Sequence, residues 1–246
     1  MTGAVHLHGL TTVTLQACLD AGPVIALVPV GSTEPHGPHL GLGTDVTISR
    51  AACERAVALL AVAGRVALVA PAVPYGVTEC AAGFAGAVSV PAAVLTAYLG
   101  AVVDGLVAQG FAQVALVNNH LEPAHDAAVR AVLSGRPRAV VACPLTRRWA
   151  RTLSDEFKSG ACHAGRYETS IVLAAEPALV DEAARAHLPA VPISLSVQLA
   201  AGVDTFAAMG MEHAYAGDPA AATAAEGHAQ IERLAEMIVG ELGPAT

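Results

Sequence analysis

The sequence predicts an α/β fold, a mostly parallel sheet flanked by helices. Two patterns carry that expectation: short uninterrupted apolar runs recur along the chain, and each is followed by a longer stretch of helical character. Continuous Val/Ile/Leu/Ala runs mark strands buried on both faces, as parallel strands covered by helices are. The 246-residue length fits one α/β domain over 1–246 better than two small ones.

Taken in order, "VIALVPV" (24–30), "RVALVAPAV" (65–73), "QVALVNN" (113–119) and "RAVVACPL" (138–145) read as the strands. Helices are expected over Val46–Ala63, Ala92–Gln109, Ala124–Leu133 and Arg147–Phe157. Strand and helix alternating at this spacing build right-handed βαβ units. Further on, "TSIVLAAE" reads as a helix. The stretch "DPAAATAAEGHAQIERLAEMIVGEL" reads as a final amphipathic helix beginning after Asp218-Pro219. Cys80 to Val103 holds no charge and is long enough on paper to span a bilayer. Glycines and Pro91 interrupt it, so a loop and a buried helix are expected, with no membrane partner.

Composition narrows the function. A formal charge of -8 with only 13 Lys and Arg leaves no basic face for nucleic acid. The five cysteines are scattered, odd in number and lack a CxxC pair, so no disulfide framework is expected. With no signal-peptide pattern at the N-terminus, the expected location is cytoplasmic.

The chemistry concentrates in two loops. "GSTEPHGPHLGLGTD" (31–45) follows the first strand and carries Glu34, His36, His39 and Asp45; "NNHLEP" (118–123) follows the third and carries His120 and Glu122. In parallel sheets, ligands bind beyond the carboxyl ends of the strands. Glu34/His36 and His120/Glu122 are each two apart, and in extended backbone such pairs point the same way. Three carboxylates and two imidazoles suit two divalent ions with one shared carboxylate; mixed N/O donors without thiolate fit Zn, Mn or Fe(II). Spacing alone leaves the alternative open that Asp45 caps the next helix, Glu34 is a surface acid and His120 an ordinary strand-end histidine. His125, one turn into a helix, reads as a surface residue.

These segments resemble the signature of the creatininase (creatinine amidohydrolase) family, through "VPVGSTEPHGPHLGLGTD", "PAVPYGVTE", the Asn-x-His loop, "HAGRYETS" (163–170) and "GDPAAATAAEG". The resemblance covers nearly the whole chain and implies a layered α/β fold, commonly a homo-oligomer and often a hexamer. It implies Glu34, Asp45 and His120 on one metal and His36, Asp45 and Glu122 on the other, with an activated water as nucleophile. His163 would move protons between that water and the leaving nitrogen, Glu122 would share in catalysis as well as ligation, and Glu168 and His39 would support the site. Thr78, Leu121 and Cys162 would face the substrate. A thiol nucleophile at Cys162 is disfavoured, since adjacent Cys162 and His163 rarely direct their side chains at each other.

The departures bear on substrate. Creatinine-hydrolysing members place Tyr where this chain has Leu121, and Trp-Asp where it has "SGAC" (159–162). Losing stacking surface disfavours a flat polar ring. The expected activity is therefore hydrolysis of a C–N bond in another small amide or cyclic amide. The alternatives are a peptidase of the same family acting in peptide or cofactor maturation, and a metal-binding domain without catalysis.

Overall fold

The computed structural model describes residues 5–244. Its centre is a parallel sheet in the order β2–β1–β3–β4, with β1 Val24–Val30, β2 Val66–Val69, β3 Gln113–Asn118 and β4 Ala139–Ala142. Val24 pairs with Val66 on one side of β1, and Ile25 with Gln113 on the other. β1 spans the expected residues. β2 and β4 are shorter than expected, because Pro71 and Pro144 each lack an N–H to continue the ladder. Beyond Val69 the pairing thins to a single bridge between Val30 and Val73.

Helices α1 (Thr12–Ala21), α2 (Thr44–Val62), α3 (Ala92–Ala108) and α4 (Pro123–Ala131) accompany the strands. α1 was not among the expected helices; Thr11 caps it by accepting from the Thr14 N–H. The helix expected over 147–157 divides into α5 (Arg147–Ala150) and α6 (Asp155–Ser159), because Ser154 accepts from the Phe157 N–H and starts a new N-terminus. There follow α7 (Arg166–Ala175), α8 (Glu182–Arg185), α9 (Leu195–Ala200) and α10 (Ala224–Leu242). Asp218-Pro219 opens a short 3₁₀ turn instead of α10, whose cap is Thr223.

Alternation along β1 sorts the core into two sides. Ile25 and Leu27 pack with Ile48, Ile171 and Leu234 of α2, α7 and α10. Val24, Ala26 and Val28 pack with Cys18, Leu99, Val103 and Val129 of α1, α3 and α4. Successive strand residues face opposite ways, so a strand apolar throughout needs helices on both faces, and the result is three layers. The uncharged stretch after Cys80 is loop followed by α3. No helix among the described residues is long and apolar enough to cross a membrane.

α10 lies close on α7 because Gly227 has no side chain. A Cβ there would run into the Ser170 carbonyl and the Ala174 methyl. Helix propensity alone would favour Gly227→Ala by about 1 kcal/mol. The overlap with backbone decides the sign, and thermal melts should show a net loss of ~1–3 kcal/mol.

Candidate metal centre

The loops after β1 and β3 meet at the carboxyl edge of the sheet, with the segment before α7 closing over them. Asp45 sits in the first turn of α2, whose cap position is Gly43; its Oδ2 accepts from the Ser32 N–H at 3.2 Å, so it does not cap the helix. Glu34, His36, Asp45, His120, His163 and Glu168 are all buried. They form three overlapping groups with ligand atoms within 4.8 Å of one another: Glu34/Asp45/His120, His36/Asp45/Glu168 and Glu34/His36/His163.

Each imidazole is anchored at one nitrogen and aims the other at carboxylates. His120 Nε2 donates to the Val77 carbonyl at 2.7 Å, leaving Nδ1 3.1 Å from Asp45 and 3.3 Å from Glu34. His36 Nδ1 donates to the Glu34 carbonyl at 3.1 Å, leaving Nε2 3.2 Å from Asp45 and 3.6 Å from Glu168. His163 Nε2 donates to the Pro35 carbonyl at 3.0 Å, with Nδ1 3.7 Å from Glu34. Since a carbonyl can only accept, it fixes the tautomer. The inward nitrogens then carry lone pairs that face other lone pairs, which repel unless a proton or cation lies between. Backbone-anchored imidazoles of this kind are the usual outer support of metal ligands. His36 Nε2 is correspondingly buried with no hydrogen-bond partner.

The charges point the same way. Among the described residues no Lys or Arg pairs with Glu34, Asp45 or Glu168. Burial works against ionised His36, but the Asp45, Glu168 and Glu34 carboxylates outweigh it and push its pKa to about 10. Burial likewise opposes a charged His120, and Glu34 and Asp45 hold it well above the ordinary value. Asp45 is held far below the usual carboxylate range despite its burial, by His36 and His120. Burial pushes Glu168 up to about 8 against the pull of His36. The cluster thus retains protons where a divalent ion would replace them, as metal ligands do when they give up protons on binding. His163 differs: burial, then His36, hold it down to about 4, so it is neutral at pH 7.

Glu122, expected with His36 and Asp45, joins none of these groups. Its two oxygens accept the Glu79 and Cys80 N–H groups at 3.0 Å each, which turns the carboxylate toward that loop. Glu168 stands there instead. It also accepts the Ala164 N–H at 2.6 Å and so braces Ala164 at a φ of 51° in the left-handed region. The signal for it lay in "ETS", where the acid reads equally well as helix support. Thr78, expected to face the substrate, donates its hydroxyl to the Glu34 carboxylate and is not in the lining of the cavity beside the centre. His39 reaches Thr169 at 2.8 Å and stays outside the cluster. His125 is buried, a correction to the surface position expected, because this face of α4 packs on the loop at Gly76 and Val77.

A cavity of about 490 Å³ opens onto Glu34, Asp45, His120, Glu122, His163 and Glu168. Leu121 and Cys162 line it as expected, together with residues the sequence did not single out: Leu145, Leu199, Phe206 and Arg130, its one Lys or Arg among the described residues. Phe206 comes from a distant loop and stacks on His163, ring centroids 4.3 Å apart.

A family model described as creatinine amidohydrolase matches residues 8–242. A mycofactocin precursor peptide peptidase of Mycolicibacterium smegmatis is 34% identical, the match covering 98% of this chain and 93% of that protein. Among solved structures, a creatinine amidohydrolase (creatininase) is similar with a TM-score of 0.73 at 22% identity, covering 99% of this chain and 100% of that one. A creatininase mutant described as the zinc–zinc type is similar with a TM-score of 0.72 at 22% identity, over 99% and 100% of the two chains. The buried His, Glu and Asp cluster supports divalent metal binding on a shared three-layer fold, and the chain is a member of the creatininase family of hydrolases.

Proposed function

We propose that the protein is a two-metal hydrolase of an amide C–N bond, and that the amide belongs to a peptide. Glu34, Asp45 and His120 would hold one ion, His36, Asp45 and Glu168 the other, with Asp45 shared. The observation that carries this reading is the set of imidazoles tied to backbone carbonyls with their inward nitrogens directed at buried carboxylates that, among the described residues, no Lys or Arg pairs. Zn and Mn suit the N/O donor set, with Fe a further candidate, and a zinc–zinc form is recorded for a structural relative. Bound there, such ions supply a Lewis acid for the carbonyl and lower the pKa of water toward neutrality.

The remaining work falls to the chain's own side chains. Neutral His163, steadied through Nε2 by Pro35, offers Nδ1 as the acceptor for a proton from attacking water and returns it to the leaving nitrogen. Leu121, Leu145, Leu199 and Phe206 give the cavity an apolar wall that holds a substrate side chain and excludes water. That wall and the near full-length similarity to a peptide peptidase favour a peptide over a small or cyclic amide. The smaller substrate stays the second reading, supported by the fold shared with creatininases. A homo-oligomer, a hexamer being one form, and a cytoplasmic location belong to the same proposal.

Metal content per chain tests the centre. Wild type should hold near two divalent ions, Glu168→Gln should fall toward one, and Glu122→Gln should keep both. No stoichiometric metal after supplying Zn and Mn would end the proposal. Mass spectrometry of a peptide library beside a panel of small amides then separates the two substrates.

A further inference from the structure

A buried histidine beside the centre has no task in the mechanism. His125, in the first turn of α4, is fully buried, and its Nε2 has no hydrogen-bond partner. Its Nδ1 accepts the Val77 N–H at 3.2 Å. The ring also lies so close to Gly76 that a Cβ there would run into it. If space filling were the whole requirement, an apolar ring would serve and no buried nitrogen would be left unpaired. The requirement met here is an acceptor at Nδ1.

What that acceptor fixes is a strap of irregular backbone. Residues 77–80 lie outside helix and strand, and each gives a group to the centre or to Glu122 beside it. The Val77 carbonyl anchors His120, and the Thr78 hydroxyl holds Glu34. The Glu79 and Cys80 amides hold Glu122. Outside the centre the strap and its approach are tied by Thr78 N–H to Ser89, Val90 N–H to the Gly76 carbonyl, and Thr33 to the Pro74 carbonyl. His125 grips Val77 at the same peptide residue whose carbonyl orients His120, and its ring meets the His120 ring edge-on at 4.6 Å.

We propose that His125 is a positioning residue, which pins the 77–80 strap and through it sets the direction of His120 and Glu34 toward the metal. This rests on the metal-centre reading above. Loss of an outer support of a ligand typically costs about 10–100-fold in metal affinity.

The test compares three substitutions. Asn places its side-chain oxygen near the position of Nδ1, Gln near that of Nε2, and Phe keeps the ring without an acceptor. His125→Asn should keep zinc affinity within ~3-fold of wild type, whereas His125→Phe and His125→Gln should lose ~10–100-fold. A space-filling role predicts the reverse order, with Phe and Gln best and Asn worst, and that order would overturn the proposal. Hydrogen exchange in the metal-free proteins is read independently of any metal. The Val77 amide should exchange faster in His125→Phe and be protected in wild type and His125→Asn. Unchanged Val77 exchange in His125→Phe overturns the pin even if the centre binds metal. A wild type that binds no zinc overturns the metal-centre reading, and the positioning role with it.

Discussion

Asp45→Asn is expected to empty both metal positions and abolish hydrolysis. Asp45 is the one carboxylate common to Glu34/Asp45/His120 and His36/Asp45/Glu168, with Oδ2 3.1 Å from His120 and Oδ1 3.2 Å from His36. Asn nearly preserves its shape, and its oxygen can still accept the Ser32 N–H, so the first turn of α2 should stay in place. What disappears is the charge that two cations would share. A supporting residue of a metal ligand is commonly worth 10–100-fold in affinity, so a bridging ligand should lose at least ~10²-fold at each position. Metal analysis after dialysis should find well under one ion per chain. Two ions retained would mean that Asp45 does not bridge.

The same substitution has a signature in the metal-free protein. His36 has a folded pKa of about 10 against 6.5 unfolded, so the stability it contributes is complete below pH 6.5 and is lost as pH rises through 10. Glu168, at about 8 against 4.5, favours the folded state in its protonated form, and that contribution fades between pH 4.5 and 8. Both slopes have one sign, so chelator-treated wild type should melt lower at pH 9 than at pH 6. Metal binding displaces these protons and strengthens as they leave, so the metal-loaded protein should gain most from its ions at the alkaline end. In Asp45→Asn the main partner of His36 is neutral, and the His36 part of the fall should shrink.

How much of this could be read in the sequence follows from the range over which each signal acts. β1 was legible to the residue because "VIALVPV" is apolar throughout and bounded by Pro23 and Gly31. The 147–157 helix was not, since its break depends on one Ser154 hydroxyl competing with continued helix. Glu34, His36, Asp45 and His120 stood out because short spacing directly after a strand places side chains at one rim. Glu122 looked equivalent by spacing, and only the position of the Glu79 and Cys80 amides, more than forty residues away in sequence, turns it aside. Glu168, His125 and Phe206 reach the site through tertiary packing of α7, α4 and a loop near residue 206, which no local pattern encodes.

His163→Ala should separate holding metal from moving protons. His163 lines the cavity with its ring between His36, 4.5 Å away, and Phe206, 4.3 Å away. Its Nδ1 is farther from a carboxylate, 3.7 Å, than the inward nitrogens of His36 and His120. No carboxylate holds it protonated; burial and then His36 keep its pKa near 4, so at pH 7 it arrives able to accept a proton. Those features suit a group beside the ions more than one bound to them. The expected result is unchanged metal content with kcat lowered ~10²–10⁴-fold, the usual worth of a positioned acid–base group. KM should move little, because the apolar wall of Leu121, Leu145 and Leu199 is untouched. The substitution leaves a slot of imidazole shape between two rings, so added imidazole should restore part of the rate. Loss of one ion per chain would instead make His163 a ligand through Glu34/His36/His163. Full activity with both ions present would pass the proton transfer to Glu122, a carboxylate that lines the cavity outside the three clusters.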